Sequence, residues 1–123
     1  MSDFRELIET QKIKQCPRHY VLALTDTLNV ISGKWKLPII ASLMHGKNRF
    51  KDLQENIEKI TPRMLSKELK ELEISGIVER QVYNQTPVLI EYTLTESGKS
   101  IISVLDTMLD WGLAYRREVM KTS

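Results

Sequence analysis

Thr61-Pro62-Arg63-Met64-Leu65-Ser66-Lys67-Glu68-Leu69-Lys70-Glu71-Leu72-Glu73-Ile74-Ser75-Gly76 carries the start, the periodic body and the stop of one helix. Thr61 offers a side-chain oxygen to the backbone N–H groups that a helix start leaves without partners. Pro62 takes the first helical position, where its missing N–H costs nothing. Gly76 suits the left-handed residue that closes many helices. Between these signals Leu65, Leu69 and Leu72 recur at i, i+4 and i+7, which predicts a buried stripe on a helix over 62–75. Arg63, Lys67 and Lys70 repeat that spacing two residues earlier, about 200° around the helix. The helix therefore turns a basic face away from its core, with Ser66 beside the cations.

Downstream of Gly76 the apolar period changes to two. Val78, Arg80 and Val82 share one face of a first strand. Val88, Ile90, Tyr92 and Leu94 alternate with Leu89, Glu91 and Thr93 on a second. Asn84-Gln85-Thr86-Pro87 between them suits a hairpin loop. Thr95 then caps a last helix running to about Lys121. Its stripe of Ile101, Leu105, Met108, Gly112, Tyr115 and Val119 is broadened by Ile102, Val104, Leu109 and Leu113 beyond what one small domain buries. Trp111, like Trp35 earlier in the chain, is read as packing and not as a stacking platform.

Upstream, Asn48 to Ile57 forms a short helix with Phe50, Leu53 and Ile57 at helical spacing. Before it, Trp35, Ile39 and Leu43 define a helix that stops at Gly46. Pro38 is tolerable there in the first turn and kinks the helix if it lies further in. Val21, Leu24, Leu28 and Ile31 mark another helix after the Cys16-Pro17 break, and Asp3 and Glu6 have capping-box spacing for a short opening helix. The predicted class is mainly α with a small β-hairpin (α+β): a winged helix-turn-helix with additional N- and C-terminal dimerisation helices. One domain is expected over 1–123, with an N-terminal helix at 1–15, a body at 16–95 containing the wing at 77–94, and a C-terminal dimerisation helix at 96–121.

Composition limits the functions open to this chain. With 41% hydrophobic and 28% charged residues it reads as globular, and no apolar run approaches the length of a membrane span. Met1 to Ile13 has no apolar leader segment, and a lone cysteine cannot form an internal disulfide, so the cytoplasm is the expected compartment. The net charge of +2 is small. Its distribution is informative, because Gly46 to Lys70 holds seven basic residues (Lys47, Arg49, Lys51, Lys59, Arg63, Lys67, Lys70) against four acids. Such local asymmetry is what a phosphate-facing surface requires. Arg49 and Lys51 are candidate phosphate contacts that set register. Thr61, Arg63, Met64, Ser66, Lys67 and Lys70 are the candidate contacts of a recognition helix in the major groove, where arginine pairs bidentately with guanine.

Several segments taken together resemble the HxlR-type regulators, a branch of the MarR-like winged-helix transcription factors. They are Cys16-Pro17, Gly33-Lys34-Trp35-Lys36, Arg49-Phe50-Lys51-Asp52-Leu53, Thr61-Pro62-Arg63-Met64-Leu65, Leu69-Lys70-Glu71-Leu72-Glu73, Gly76-Ile77-Val78, Val82-Tyr83, Glu91-Tyr92-Thr93-Leu94-Thr95 and Gly98. The likeness covers about residues 16 to 112. It implies a homodimer joined through its terminal helices, a palindromic double-stranded operator read by one recognition helix per half-site, and a wing over the adjacent minor groove or backbone. The family's wing often carries an arginine where this chain has Leu89, which leaves wing contacts to Arg80, Asn84 and Gln85. Pro38 stands where the family has an aliphatic residue, predicting a local distortion of its helix.

Cys16 is a candidate sensor. A following helix N-terminus and the nearby Lys14, Arg18 and His19 favour its thiolate, and oxidation or adduct formation would alter the spacing of paired recognition helices. The resembled family includes members that act through a cysteine here. The alternatives are a small buried hydrophobe and a regulator controlled by a non-covalent small ligand. No cofactor and no metal site are expected: one Cys with His19 and His45 cannot complete a zinc site without distant carboxylates. An enzyme is not expected, since no acid orients a Cys16–His19 pair. The rival from another class is a winged-helix protein–protein module whose basic face meets an acidic partner.

Overall fold

The structure, a computed structural model, describes residues 17–121. The expected opening helix and Cys16 lie outside them. The chain divides at Lys34 into two units. In the first, helix α1 (Pro17–Ile31) follows directly on Cys16, and its Val21, Leu22, Leu24 and Leu28 are exposed.

The second unit begins at Trp35 and holds α2 (Lys36–Met44), α3 (Phe50–Asn56), α4 (Pro62–Ile74), β1 (Val78–Tyr83), β2 (Leu89–Leu94) and α5 (Glu96–Lys121). In α2 the first intrahelical bond runs from the Ile39 N–H to the Trp35 carbonyl at 3.1 Å. Pro38 therefore falls among the residues whose N–H groups have no helical acceptor, the place in a helix where a proline is tolerated. The helix closes at Gly46, whose φ of +86° suits glycine. Its N–H reaches the Leu43 carbonyl at 3.1 Å.

One core gathers Ile39, Ile40 and Leu43 from α2, Leu53 from α3, Ile57 and Ile60 from the turn after it, Leu65, Leu69 and Leu72 from α4, and Ile77 and Val78 at the start of the hairpin. Ser42 is buried among them and satisfied twice. Its hydroxyl donates to the Pro38 carbonyl (2.9 Å) and accepts from the Asn56 amide (2.7 Å), fastening the end of α3 to α2.

The antiparallel hairpin pairs Val78 with Leu94, Arg80 with Tyr92 and Val82 with Ile90. The alternation expected from the sequence does not appear in the burial: on β1 only Val78 is buried, at 2% exposed against 54% for Val82, while β2 is half-buried everywhere except Thr93. The outer half projects beyond the core, as a wing must if it is to reach another molecule.

Thr95 joins the hairpin to α5. Its hydroxyl accepts from the Gly98 N–H at 3.1 Å and donates to the carbonyls that close the α4–β1 turn, while its own N–H bonds the Ile77 carbonyl at 3.0 Å. This brings the Ile77 carbonyl so close that a Cβ on Gly98 would collide with it. Among the described residues no helix is long and apolar enough to cross a membrane. Beyond its first turns α5 leaves Leu109, Trp111, Leu113, Tyr115 and Met120 at least half exposed.

Gly98→Ala should destabilise the fold by roughly 1–3 kcal/mol, because backbone must shift to admit the methyl group. Urea unfolding will measure this, and a midpoint equal to wild type would show that the contact relaxes freely.

Candidate nucleic-acid interface

Two short helices and a turn present the candidate surface. Leu53 anchors α3, Ile57 and Ile60 pin the connecting turn, and Leu65 begins the buried stripe of α4. The Thr61 oxygen accepts from the Met64 N–H at 3.1 Å, so the cap anticipated from the sequence is made. Its hydroxyl proton remains able to donate outward. With the leucines inward, Arg63, Met64, Ser66, Lys67 and Lys70 all lie exposed on α4.

The other candidates take different positions around this helix. Arg49 is the residue before the first turn of α3, with no side-chain cap bond to hold it inward, and Lys51, the second residue of that helix, is exposed. Arg80, on the hairpin face it shares with Tyr92, lines a groove of about 490 Å³ with Ser66, Leu69, Lys70 and Glu73. The groove thus brings a wing cation and two candidates of α4 together. Asn84 and Gln85 belong to the exposed turn at the far end of the hairpin, beyond the outermost strand pair Tyr83–Leu89.

Two further connections flank the surface. The Asn48 carbonyl accepts from the Tyr92 N–H at 2.8 Å while its amide donates to Glu91 at 3.0 Å. One residue thereby ties the entry of α3 to the second strand of the wing. On the opposite flank Lys36 Nζ lies 2.9 Å from Glu71 and 3.8 Å from Glu68. The hydrogen bond and charge of Lys36, with a smaller contribution from Lys67, hold the Glu71 carboxyl below its ordinary range. Neither connection was visible from the sequence, since 43 residues separate Asn48 from Glu91 and no local spacing pairs them.

A winged helix-turn-helix with this motif order has close counterparts. The family model described as HxlR-like helix-turn-helix matches residues 30–120. The chain belongs to the HxlR-like helix-turn-helix family. Over 96 residues, 78% of this chain and 73% of the relative, it is 45% identical to a protein of Methanothermobacter thermautotrophicus named as an uncharacterized HTH-type transcriptional regulator. YtcD of Bacillus subtilis, named in the same way, is 43% identical over 77% of this chain and 75% of its own. Among solved structures, the redox regulator HypR in its reduced form superposes with a TM-score of 0.72 at 40% identity, covering 82% of this chain and 99% of that one. Diamide-treated YodB from Bacillus subtilis gives 0.68 at 41% identity, covering 74% and 90%.

This HxlR-like chain is accordingly a DNA-binding transcriptional regulator, and its relatives are regulators, not enzymes. Among its described residues no cluster of three or more His, Cys, Asp or Glu has the arrangement of a metal site.

Thr61→Ala should lower stability by about 1 kcal/mol through loss of the cap, measured as a shift of the urea midpoint. The Glu71 carboxyl gives a pH signature. Its folded value lies below its ordinary 4.5, so the stability it contributes is complete above that pH and disappears as pH falls through the lowered value. Wild type should exceed Glu71→Gln in stability at neutral pH, with the difference narrowing in acid. A constant difference between pH 7 and pH 3 would contradict the ion pair.

Proposed function

We propose that the chain acts as a homodimer on a palindromic operator, placing one α4 in the major groove of each half-site. The observation that carries this reading is the exposed face of Arg63, Ser66, Lys67 and Lys70 on a capped helix whose opposite side is locked by three buried leucines. Arg63 and Ser66, near the helix start, are the base-reading candidates, and Lys67 and Lys70 follow along the same face. Arg49 and Lys51 bind phosphates and fix register without reading sequence. Arg80 adds a cation beside Lys70, and Asn84 and Gln85 contact backbone or minor groove from the wing. The apolar residues left exposed along α5 support the dimer, because a lone chain would hold that surface in water.

The regulatory signal in this reading is an oxidant or electrophile acting on Cys16. Support comes from the cations and helix start around Cys16 in the sequence. Further support comes from the related structures of the redox regulator HypR and of the diamide-treated and quinone-bound forms of YodB.

Selection of sites from a random DNA pool tests the operator. Wild type should enrich an inverted repeat with half-sites about one helical turn apart, and Arg63→Ala/Lys67→Ala should not. With six or more phosphate contacts, affinity should fall by about 10³-fold between 50 and 200 mM salt. Absence of any enriched sequence would move the protein–protein module to the front. Diamide should release the wild-type protein from its site and leave Cys16→Ser bound; release of both would remove Cys16 from the mechanism.

A further inference from the structure

Helix α4 carries Arg63, Lys67 and Lys70, but also Glu68, Glu71 and Glu73, so the helix as a whole is electrically neutral. A positive DNA-facing side can exist only if its acids are turned away or neutralised. Glu71 is one turn beyond Lys67 and only about 40° around the helix from it. An uncompensated carboxylate there would stand at the edge of the basic face, directed at the same phosphates.

Lys36 meets this difficulty from another helix. It is the first residue of α2, and its ammonium sits between the two carboxylates of α4 at 2.9 and 3.8 Å. Its side chain is only 12% exposed, and that of Glu68 only 17%. The placement runs against the local rule that cations are disfavoured at a helix N-terminus. The acids of α4 supply the compensation that α2 itself lacks.

We propose that Lys36 is an electrostatic mask: without touching DNA, its one positive charge offsets half of the charge of Glu68 and Glu71, so that these acids oppose the action of the basic face of α4 on phosphates far less. The proposal rests on α4 being the helix that meets DNA. It makes Lys36 a positioning residue for charge, distinct from the groove-facing cations. The lowered Glu71 titration accords with this, since that carboxylate stays charged beside Lys36 through the neutral range.

The test measures affinity for the duplex that wild type enriches and for an unrelated duplex of equal length. Lys36→Met keeps most of the apolar stem and should weaken both about tenfold at moderate salt, because repulsion of phosphate is independent of sequence. Lys36→Met/Glu68→Gln/Glu71→Gln should return to within about twofold of wild type. Recovery separates a mask from a brace, since a brace stays broken in the triple variant. Glu68→Gln/Glu71→Gln with Lys36 intact should bind more tightly than wild type, and this arm stands even where Lys36→Met folds poorly. The proposal is overturned if Lys36→Met binds as wild type does, if the folded triple variant binds as weakly as the single one, or if the double variant gains nothing. Arg63→Ala on the same duplexes keeps the two ideas apart. Its loss of binding beside an unaffected Lys36→Met refutes the mask alone, whereas unchanged binding by Arg63→Ala refutes the placement of α4.

Discussion

Burial of Leu65, Leu69 and Leu72 fixes the rotation of α4 about its axis, and the rest of the surface depends on that rotation. The three side chains are at most 1% exposed. Removing any one would cost about 2–5 kcal/mol, a large fraction of the stability of a domain this size. A rotation of even one residue, about 100°, would expose a leucine and carry Lys67 toward the core. The apolar penalty therefore sets the direction of the cations, although no cation contributes to it. The same core also takes in Ile77 and Val78 at the base of the hairpin, so the wing is hung from the element whose orientation it must match.

Much of this was legible in the chain because it is local. Thr61, Pro62 and Gly76 bound α4, and the three leucines give its inward face, all within sixteen residues. The hairpin was equally readable from its change of period, with boundaries differing by a residue: β2 begins at Leu89, not at Val88. Pro38 was harder, since its effect depends on where the helix starts, and that start follows from the Trp35 carbonyl accepting the first bond. Phe50 was expected in the core with Leu53 and is only half-buried, because α3 is so short that its first residue lies at the rim.

The residues that escaped sequence reading are those whose role depends on partners distant in the chain. Asn48 looked like the polar start of a helix, yet it bonds β2 through both its backbone and its amide. Ser42 interrupts an apolar helix, and only the approach of Asn56 and the Pro38 carbonyl explains why a hydroxyl is tolerated there. Gly98 could be recognised as a shared motif position, but its reason is the Ile77 carbonyl occupying the space of a side chain. The excess apolar surface of the last helix was legible as a quantity, because a tally of apolar positions needs no partner.

Lys36 shows how far a charge tally along one element can mislead. A segment from Gly46 to Lys70 looks basic, but extending it to Glu73 brings in two further acids of the same helix. The decisive quantity is the field on the exposed face, and that depends on which acids are matched from behind. Glu68 and Glu71 share the one ammonium of a residue more than thirty positions earlier, on another helix. Glu73 lies on the other flank, in the groove with Lys70 and Arg80. The three acids of α4 are therefore distributed to its two sides, and the stripe between them is left to Arg63, Lys67 and Lys70. A helix with no net charge thus presents a positive face because the fold, and not its composition, decides where its negative charges are answered.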